Sequence, residues 1–272
     1  MAVDPEPVKL TGWALVLGAS SGFGAAASLA LARAGCNIFG VHFDRKSTQP
    51  MAQRVLADVQ AAGREAHFFN VNAADEERRA DVAGEMERVL TARGEMGQLR
   101  ILIHSLAFGT LKLFIAEPMK DAVVKSQMDM TLDVMANSLI YWTQDVVGRG
   151  LMGQGGRIYA MTSAGGTRVL PYYGPVSAAK AALESHCRQL AMELAPRGIT
   201  VNAVRAGVTD TPALQKIPGA DTLKTIAAAR NPGRRLTTPA DVARAIVAFS
   251  HSSTAWVTGN VLGVDGGEDI VG

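Results

Sequence analysis

Short apolar segments rich in β-branched residues alternate along the chain with longer segments whose apolar positions recur at helical spacing. This pattern predicts seven β-strands, at residues 13–17, 37–41, 66–70, 101–104, 157–161, 200–204 and 261–264. Segments of helical period lie at residues 25–34, 51–62, 76–92, 132–148, 177–194 and 239–250. Because parallel strands need helical crossovers, the alternation predicts an α/β fold with a doubly wound parallel sheet.

Two details refine this pattern. Thr238, Pro239 and Asp241 form a good helix start, with a capping hydroxyl, a first-turn proline and a first-turn acid. Residues 212–235 contain several prolines and glycines around one possible short helix and have no clear place in the alternation. We predict that this segment is a mobile lid over a ligand.

Length and composition fit one domain with one core. The chain has 272 residues, of which 48% are hydrophobic and 19% are charged. Its apolar runs end well before the roughly 20 residues that a membrane span needs. Residues 1–6 also lack the basic start and apolar run of a signal peptide. We therefore expect a cytoplasmic protein.

Charge and metal-ligating side chains narrow the possible partners. The net charge of +2 and the absence of a basic run with interleaved aromatic residues argue against nucleic acid and favour a small molecule. Cys36 and Cys187 fall in a predicted strand region and a predicted helix, so we expect two buried thiols rather than a disulfide or a zinc site. The histidines lack metal-ligand spacing, and no metal is expected.

A glycine-rich turn joins the first predicted strand to an alanine-rich helix. Its sequence is Gly18-Ala19-Ser20-Ser21-Gly22-Phe23-Gly24. Glycines let the backbone turn tightly and approach a pyrophosphate, whose charge is stabilised by free N–H groups and the helix dipole. We predict that this turn binds a dinucleotide, and that Asn70 and Val71, after the third strand, contact its adenine.

Residues after the second strand bear on the choice between NAD and NADP. An acidic residue there would hold the ribose hydroxyls of NAD, but this position is His42. Arg45 and Lys46 could pair with the 2′-phosphate of NADP, whereas Asp44 could oppose that phosphate or bind the ribose itself. We predict NADPH in preference to NADH, with a solvated charged loop as the alternative interpretation.

Over nearly its whole length the chain resembles the short-chain dehydrogenase/reductase superfamily. Besides the glycine turn and the helix with Lys180, the resemblance rests on residues 199–204 (ITVNAV), 207–211 (GVTDT), 257–260 (VTGN) and 264–267 (VDGG). It implies a Rossmann-type single domain with a seven-stranded parallel sheet, and a homotetramer. Further cofactor contacts implied by the resemblance are Ser105, Leu106, Ala107, Lys180, Gly207, Val208 and Thr211.

The spacing of one tyrosine and one lysine distinguishes two branches of this superfamily. The usual catalytic motif is Tyr-x-x-x-Lys, but here its tyrosine position is Val176, which cannot donate a proton. Tyr173 and Lys180 are separated by six residues, which resembles the Tyr-x6-Lys motif of the enoyl-acyl-carrier-protein reductases. This likeness implies Tyr173 and Lys180 as catalytic residues, with Tyr172 as a rival for the tyrosine role.

Three other segments resemble the enoyl reductase branch. Residues 104–109 (HSLAFG) are similar to its His-Ser-Ile-Ala-Phe stretch, Met135 replaces the catalytic asparagine of alcohol dehydrogenases, and residues 211–218 resemble the NADPH-dependent third bacterial type. Ser163, however, occupies the position of the catalytic serine of alcohol dehydrogenases, which the third type also keeps. The likeness thus implies Ser163 as a third catalytic residue, and as substrate contacts it implies Phe108, Gly109, Tyr172, Tyr173 and Leu214.

The shifted tyrosine suits the reduction of a carbon–carbon double bond. Hydride that arrives at the β-carbon of an enoyl thioester leaves negative charge on the thioester oxygen, two bonds away, so the proton donor should stand further back. One helical turn moves a side chain by about 5 Å. We therefore predict an NADPH-dependent enoyl-thioester reductase of fatty-acid or related acyl-chain synthesis.

Two other functions stay open from the sequence. One is a carbonyl or hydroxy dehydrogenase that uses Ser163 with Tyr173 or Tyr172, and the other is a cofactor-binding regulator without catalysis. The lid segment carries five basic residues, Lys216, Lys224, Arg230, Arg234 and Arg235, and one acid, Asp221. Such a rim could attract an acidic carrier protein or a coenzyme A phosphate, with solvated charges as the alternative.

Overall fold

Seven parallel strands form a single sheet in the order β3-β2-β1-β4-β5-β6-β7. The computed structural model describes residues 8–271, so the N-terminal stretch considered above for a signal peptide lies outside it. The strands are β1 (Trp13–Leu17), β2 (Asn37–His42), β3 (Ala66–Asn70), β4 (Leu99–His104), β5 (Arg157–Ser163), β6 (Thr200–Ala206) and β7 (Val261–Val264). The chain order reverses direction between β1 and β4, where such sheets open a crevice for ligands.

All seven predicted strands are confirmed, because their buried β-branched runs fit the interior of a parallel sheet. The strands β5 and β6 continue two residues beyond the predicted ends. They end at Ser163 and Ala206, which pair in register across the two strands. This extension places Ser163 at the carboxyl edge of the sheet, where ligands bind in this architecture.

Eight α-helices flank the sheet within residues 8–271. They are α1 (Gly22–Ala34), α2 (Gln49–Ala61), α3 (Glu76–Ala92), α4 (Lys125–Leu132), α5 (Ser138–Gly148), α6 (Gly174–Leu194), α7 (Ala220–Arg230) and α8 (Pro239–Phe249). The predicted start of α8 is confirmed, since Thr238 and Asp241 form a reciprocal capping box. The short helix expected in residues 212–235 is α7, which has 11 residues.

The predicted helix at residues 132–148 needs correction. The helical run begins earlier, at Lys125, and a π-helical turn (Asp133–Asn137) separates α4 from α5. At the end of this turn, the Ser138 hydroxyl donates a hydrogen bond to the Val134 carbonyl at 2.8 Å. The wider turn adds a residue to the helix where Met135 lies, and such turns recur at functional sites.

Two hydrophobic clusters, one on each face of the sheet, form the core. Alternate residues of β1 divide between them: Trp13, Leu15 and Leu17 face one cluster, and Ala14 and Val16 face the other. The first cluster also contains apolar side chains of α3, α5 and α6, and the second those of α1 and α8. This packing holds the carboxyl ends of the strands in fixed positions.

Both cysteines are buried free thiols, one in each cluster. Burial raises the pKa of Cys36 and of Cys187 to about 12, so both thiols stay protonated. No helix in the part of the chain that the structure describes is long and apolar enough to cross a membrane.

Candidate active site

A cavity of about 480 Å³ opens at the carboxyl edge of the sheet. Its walls come from the turns after β1 to β6, from the predicted lid segment and from the C-terminal turn. Most of the residues predicted for the site line it: Gly18, Ser20, Ser21, Gly22, Phe23, Val71, Ser105, Leu106, Ala107, Phe108, Gly109, Ser163, Tyr173, Lys180, Gly207, Val208, Thr211 and Leu214. Candidate cofactor, catalytic and substrate residues therefore share one continuous space.

The turn between β1 and α1 can hold a pyrophosphate. Gly18 has a φ of 89°, and a Cβ there would lie 2.3 Å from the Ser105 carbonyl oxygen, so this close approach requires glycine. The N-cap residue of α1, Ser21, makes no side-chain capping hydrogen bond to any described residue. Unfilled donors and the positive end of the helix dipole therefore meet at the cavity wall, as the charge of a dinucleotide requires.

The position after β2 carries an anchored acid. Asp44 accepts a hydrogen bond from His42 Nδ1 at 2.9 Å. Burial acts to raise the pKa of Asp44, but hydrogen bonds from Thr48, Ser20 and His42 outweigh it and hold that pKa below its usual value. Asp44 is therefore ionised beside Ser20, a residue of the phosphate-binding turn.

Five residues predicted for the site do not line the cavity. Arg45 and Lys46 are exposed in the loop that leads to α2, and Asn70 exchanges hydrogen bonds with the main chain of Asp44 instead. Gly24 lies under the turn, where a Cβ would be 2.1 Å from the Gly18 carbonyl oxygen. Tyr172, 40% exposed with a φ of 63°, also stays outside. Gly24 thus allows the close backbone packing of the glycine-rich turn without lining the cavity itself.

The candidate catalytic residues converge where β5 meets α6. Tyr173 is the residue just before α6, which begins at Gly174, so it is not on the helix as the spacing argument assumed. Its hydroxyl lies 3.3 Å from Ser163 Oγ, and its ring lies close to Gly165, where a Cβ would be 2.5 Å from the ring. Burial raises the pKa of Tyr173, although the Ser163 hydrogen bond opposes the rise. The phenol is therefore a protonated donor at neutral pH.

Lys180 is buried in α6, and its Nζ donates a hydrogen bond to the Met161 carbonyl at 2.7 Å. Burial lowers the pKa of Lys180 to about 8, against which the nearby Glu184 and Cys187 act only in part. An ammonium has three N–H donors, so two remain after the bond to Met161. Lys180 can therefore hold hydroxyl groups of a ligand while it adds positive charge to the cavity.

The place of the ordinary catalytic tyrosine is filled by apolar packing. Val176 is 5% exposed, and one of its methyl groups would lie 2.9 Å from a Cβ at Gly109. Met135 Sδ would lie 2.7 Å from the same Cβ. These two side chains and the bare glycine backbone all line the cavity, as Tyr173 does.

His104 ends β4 as a fully buried, uncharged side chain. Its Nε2 bonds Ser138 Oγ at 2.8 Å, whereas its Nδ1 has no partner within residues 8–271. Burial, reinforced by the nearby charge of Lys180, lowers the pKa of His104 to about 3. The imidazole links β4 to the end of the π-helical turn.

Two of the five basic residues predicted for the rim of the lid, Lys224 and Arg235, form ion pairs within the protein, and a third is held by the main chain. Lys224 pairs with Asp221 at 2.8 Å, and Arg235 pairs with Asp241 at 2.6 Å. Arg230 donates two hydrogen bonds to a main-chain carbonyl of the C-terminal turn. Local pairing therefore weakens the argument for an acidic partner at this rim.

Several cavity residues have no motif that could have revealed them. Arg168 and Leu170 come from the loop between Ser163 and Tyr173. Their position between two candidate catalytic residues could have indicated that they line the site. Others come from distant segments, namely Arg205, Glu268 and Asp269. Burial raises the pKa of Glu268, while the Val208 N–H and Arg230 oppose the rise and Asp265 and Asp269 add to it.

Known proteins match this chain over nearly its whole length. Residues 18–268 match the family model described as enoyl-(acyl carrier protein) reductase. The 1-cyclohexenylcarbonyl-CoA reductase of Streptomyces collinus is 31% identical over 260 residues, which cover 94% of this chain and 86% of that protein. The 3-oxoacyl-[acyl-carrier-protein] reductase of Synechocystis is 30% identical over 256 residues, which cover 93% and 95%. These two relatives, which are named for different reductions, therefore show nearly the same identity to this chain.

A solved structure agrees with the fold. A short-chain dehydrogenase from Burkholderia cenocepacia, in complex with NADP, is 30% identical, with a TM-score of 0.80 and coverage of 97% of this chain and 100% of that one. The fold of these proteins binds a nicotinamide cofactor at the glycine turn described above. The chain therefore belongs to the short-chain dehydrogenase/reductase superfamily of oxidoreductases, within the family described as enoyl-(acyl carrier protein) reductase.

Proposed function

We propose that the protein reduces the carbon–carbon double bond of an enoyl thioester with NADPH. The observation that carries this proposal is the packing at the ordinary tyrosine position. There a buried valine, Val176, packs with Met135 around Gly109, and valine has no proton to donate to a carbonyl held at that point. Two hydroxyl donors that line the cavity, Tyr173 and Ser163, lie together nearby.

Tyr173 is the residue that we propose meets the developing charge. When bound, the reduced nicotinamide supplies a hydride to the β-carbon of the substrate. Negative charge then builds on the thioester oxygen, and a protonated phenol can donate a hydrogen bond to it. Burial keeps Tyr173 protonated by raising its pKa, and Ser163 Oγ, at 3.3 Å, can accept from or donate to the same hydroxyl.

Lys180 supports both the cofactor and the charge. Its bond to the Met161 carbonyl fixes the ammonium at the end of β5, and its remaining donors face the cavity that it lines. We propose that they hold the hydroxyls of the nicotinamide ribose. The ammonium also lowers the energy of the negative charge near Tyr173, since a buried site screens charge weakly.

The proposed cofactor and substrate are inferred from the relatives and from the side chains after β2. NADPH is supported by the NADP complex of the Burkholderia relative, whereas the ionised Asp44 would oppose a 2′-phosphate. The thioester is supported by the family description and by the Streptomyces relative, which acts on a coenzyme A ester. We further propose a cytoplasmic homotetramer, with residues 212–235 as its lid, that acts in acyl-chain synthesis on coenzyme A or acyl-carrier-protein substrates.

A paired assay tests the proposal. Purified protein is mixed with NADPH and either crotonyl-CoA or acetoacetyl-CoA, and the loss of NADPH absorbance is followed. We expect turnover with crotonyl-CoA and little with acetoacetyl-CoA. The reverse preference would reject the proposal, and tight NADPH binding without turnover of either substrate would favour a non-catalytic role.

Carbonyl reduction is the second candidate, and one distance favours it. Ser163 and Tyr173 lie 3.3 Å apart, a spacing at which both hydroxyls could bind one carbonyl oxygen. The Synechocystis relative is named for such a reaction. Ser163→Ala separates the two functions, because it should abolish carbonyl reduction but lower enoyl reduction only modestly.

A further inference from the structure

The C-terminal turn after β7 lies against the cavity. It is held in shape by Asp265, whose two carboxylate oxygens accept hydrogen bonds from the backbone N–H groups of Gly267, at 3.0 Å, and Asp269, at 3.2 Å. Asp265, Glu268 and Asp269 all line the cavity. A self-bonded turn of this kind presents its side chains in fixed directions.

Glu268 contacts two parts of the site at once. Its carboxylate Oε2 accepts a hydrogen bond from the backbone N–H of Val208 at 3.1 Å. Its own carbonyl oxygen accepts two from Arg230, at 3.0 Å from Nε and 2.8 Å from Nη2. Val208 belongs to the loop after β6 that lines the cavity, and Arg230 is the last residue of α7. One buried residue thus joins the cofactor-side loop to the predicted lid.

Neighbouring side chains hold the turn from three sides. Asn231, just after α7, donates a hydrogen bond to the Asp265 carbonyl at 2.7 Å. The Asp269 carboxylate pairs with Arg168 at 2.7 Å and with Arg205 at 3.1 Å. These contacts tie the turn to β6, to the loop before α6 and to the lid. Glu268 is therefore presented by a support that itself resists movement.

We propose that Glu268 is a positioning residue for the nicotinamide cofactor. Gly207 has no side chain, and a Cβ there would lie 2.8 Å from Glu268 Oε2, so the carboxylate reaches the loop only because this residue is glycine. By binding the Val208 N–H, the carboxylate fixes the orientation of the peptide between Gly207 and Val208. The following residues of the loop, Thr209 and Thr211, then face the cavity that they line.

This inference rests only on cofactor binding, and not on which bond of the substrate is reduced. Because Glu268 acts through the loop, we expect its removal to weaken cofactor binding by about tenfold, which corresponds to about 1.4 kcal/mol. Turnover at saturating cofactor should change much less, since Tyr173, Ser163 and Lys180 stay in place.

The test measures the dissociation constant of NADPH, and separately of NADH, by fluorescence without any substrate. Glu268→Ala should raise the constant of the preferred cofactor about tenfold, whereas Glu268→Gln should restore binding to within about twofold, because an amide oxygen also accepts a hydrogen bond. Ile270→Ala is the matched control, since this neighbour is 86% exposed. Thermal unfolding of each variant reports its stability separately.

Two results would overturn the proposal. One is a dissociation constant in Glu268→Ala that is equal to or lower than that of the wild type. A lower constant would mean that the carboxylate competes with the cofactor. The other is a Gln variant as weak as the Ala variant. If Glu268→Ala fails to fold, Glu268→Asp takes its place, since its shorter side chain cannot reach Val208; wild-type affinity in that variant would equally reject the role. Failure of the enoyl reductase proposal would leave these binding constants unaffected.

Discussion

Tyr173 and Ser163 are the two hydroxyl-bearing side chains on which the proposed chemistry depends, and their 3.3 Å separation makes them one unit. Tyr173→Phe removes the donor but keeps the ring against Gly165. Enoyl-thioester turnover should fall by roughly 100-fold or more, whereas the cofactor dissociation constant should stay within about twofold. Tyr172→Phe is the control, because Tyr172 lies outside the cavity and should leave turnover unchanged. Undiminished turnover in Tyr173→Phe would remove this residue from the mechanism.

Lys180 gives the site a pH dependence. Its pKa in the folded protein is about 8, against 10.5 for an unperturbed lysine, so its positive charge is present below pH 8 and lost as the pH rises through that value. The dissociation constant of the anionic cofactor should therefore rise above pH 8, by up to about tenfold per pH unit. Lys180→Arg should flatten this rise, because a guanidinium stays protonated. A wild-type constant that is flat up to about pH 10 would contradict the assignment.

Most of the site residues predicted from the sequence line the cavity, but many of the residues that line it were not predicted. Motif spacing located Tyr173, Lys180 and Ser163, since each occupies a recognisable position relative to a strand or helix. It could not show that the loop after β2 leaves Arg45 and Lys46 exposed, because two adjacent charges carry no information about the course of a loop. Glu268 bonds a residue 60 positions away, and no local pattern signals such a contact.

Alanine substitutions at two glycines compare a tightly packed position, Gly109 in the loop after β4, with an open one, Gly84 in α3. At Gly109 a Cβ would lie 2.7 Å from Met135 Sδ and 2.9 Å from side-chain atoms of Thr131 and Val176. Gly109→Ala should therefore lower the free energy of unfolding by about 1–3 kcal/mol.

Gly84, within α3, has no atom within 4 Å of a Cβ among the described residues. Gly84→Ala should raise the free energy of unfolding by about 0.5–1 kcal/mol, because alanine is the better helix former. Urea denaturation of both glycine variants measures the difference. An unchanged free energy of unfolding in Gly109→Ala would mean that Met135 moves away freely. It would contradict the tight packing described around Gly109.

Helix α5 shows the limit of periodicity as a predictor of elements. Apolar positions continue at helical spacing from residue 132 to residue 148, so the sequence predicts one helix there. The π-helical turn ends next to Ser138, whose hydroxyl bonds both the Val134 carbonyl and His104 on β4. The contact to β4 belongs to the tertiary structure, and the break was therefore not predictable from the helix alone.

At the scale of the whole molecule, the order of the sheet brings the turns after six strands to one cavity, so cofactor binding should stabilise the entire fold. Cofactor at 100 times its dissociation constant should raise the free energy of unfolding by about 2.7 kcal/mol. Thermal unfolding with NADPH and NADH, each over a concentration series, measures this gain. Adenosine monophosphate, which lacks the nicotinamide half, is the control and should stabilise less. No shift with either dinucleotide would contradict the cofactor site.

The fold as a whole could be predicted because several independent sequence patterns indicate the same architecture. Buried strand runs, helical crossovers and the glycine turn all require one parallel sheet with a crevice at its carboxyl edge. The relatives show why the reaction was less predictable, since oxo and enoyl thioester reductases share this fold at similar identity. We propose that side chains at the β5–α6 junction of this chain, Tyr173 and Ser163, decide between the two reactions.

The most direct test of alkene reduction places both substrate types in one reaction. Crotonyl-CoA and acetoacetyl-CoA are mixed at equal concentration with limiting NADPH that is deuterated at C4 of the nicotinamide, on each face in turn, and the products are analysed by mass spectrometry. The geometry around Tyr173, Val176 and Lys180 predicts butyryl-CoA with deuterium on the β-carbon, from one of the two faces. Deuterated 3-hydroxybutyryl-CoA as the main product would contradict it and assign the site to carbonyl reduction.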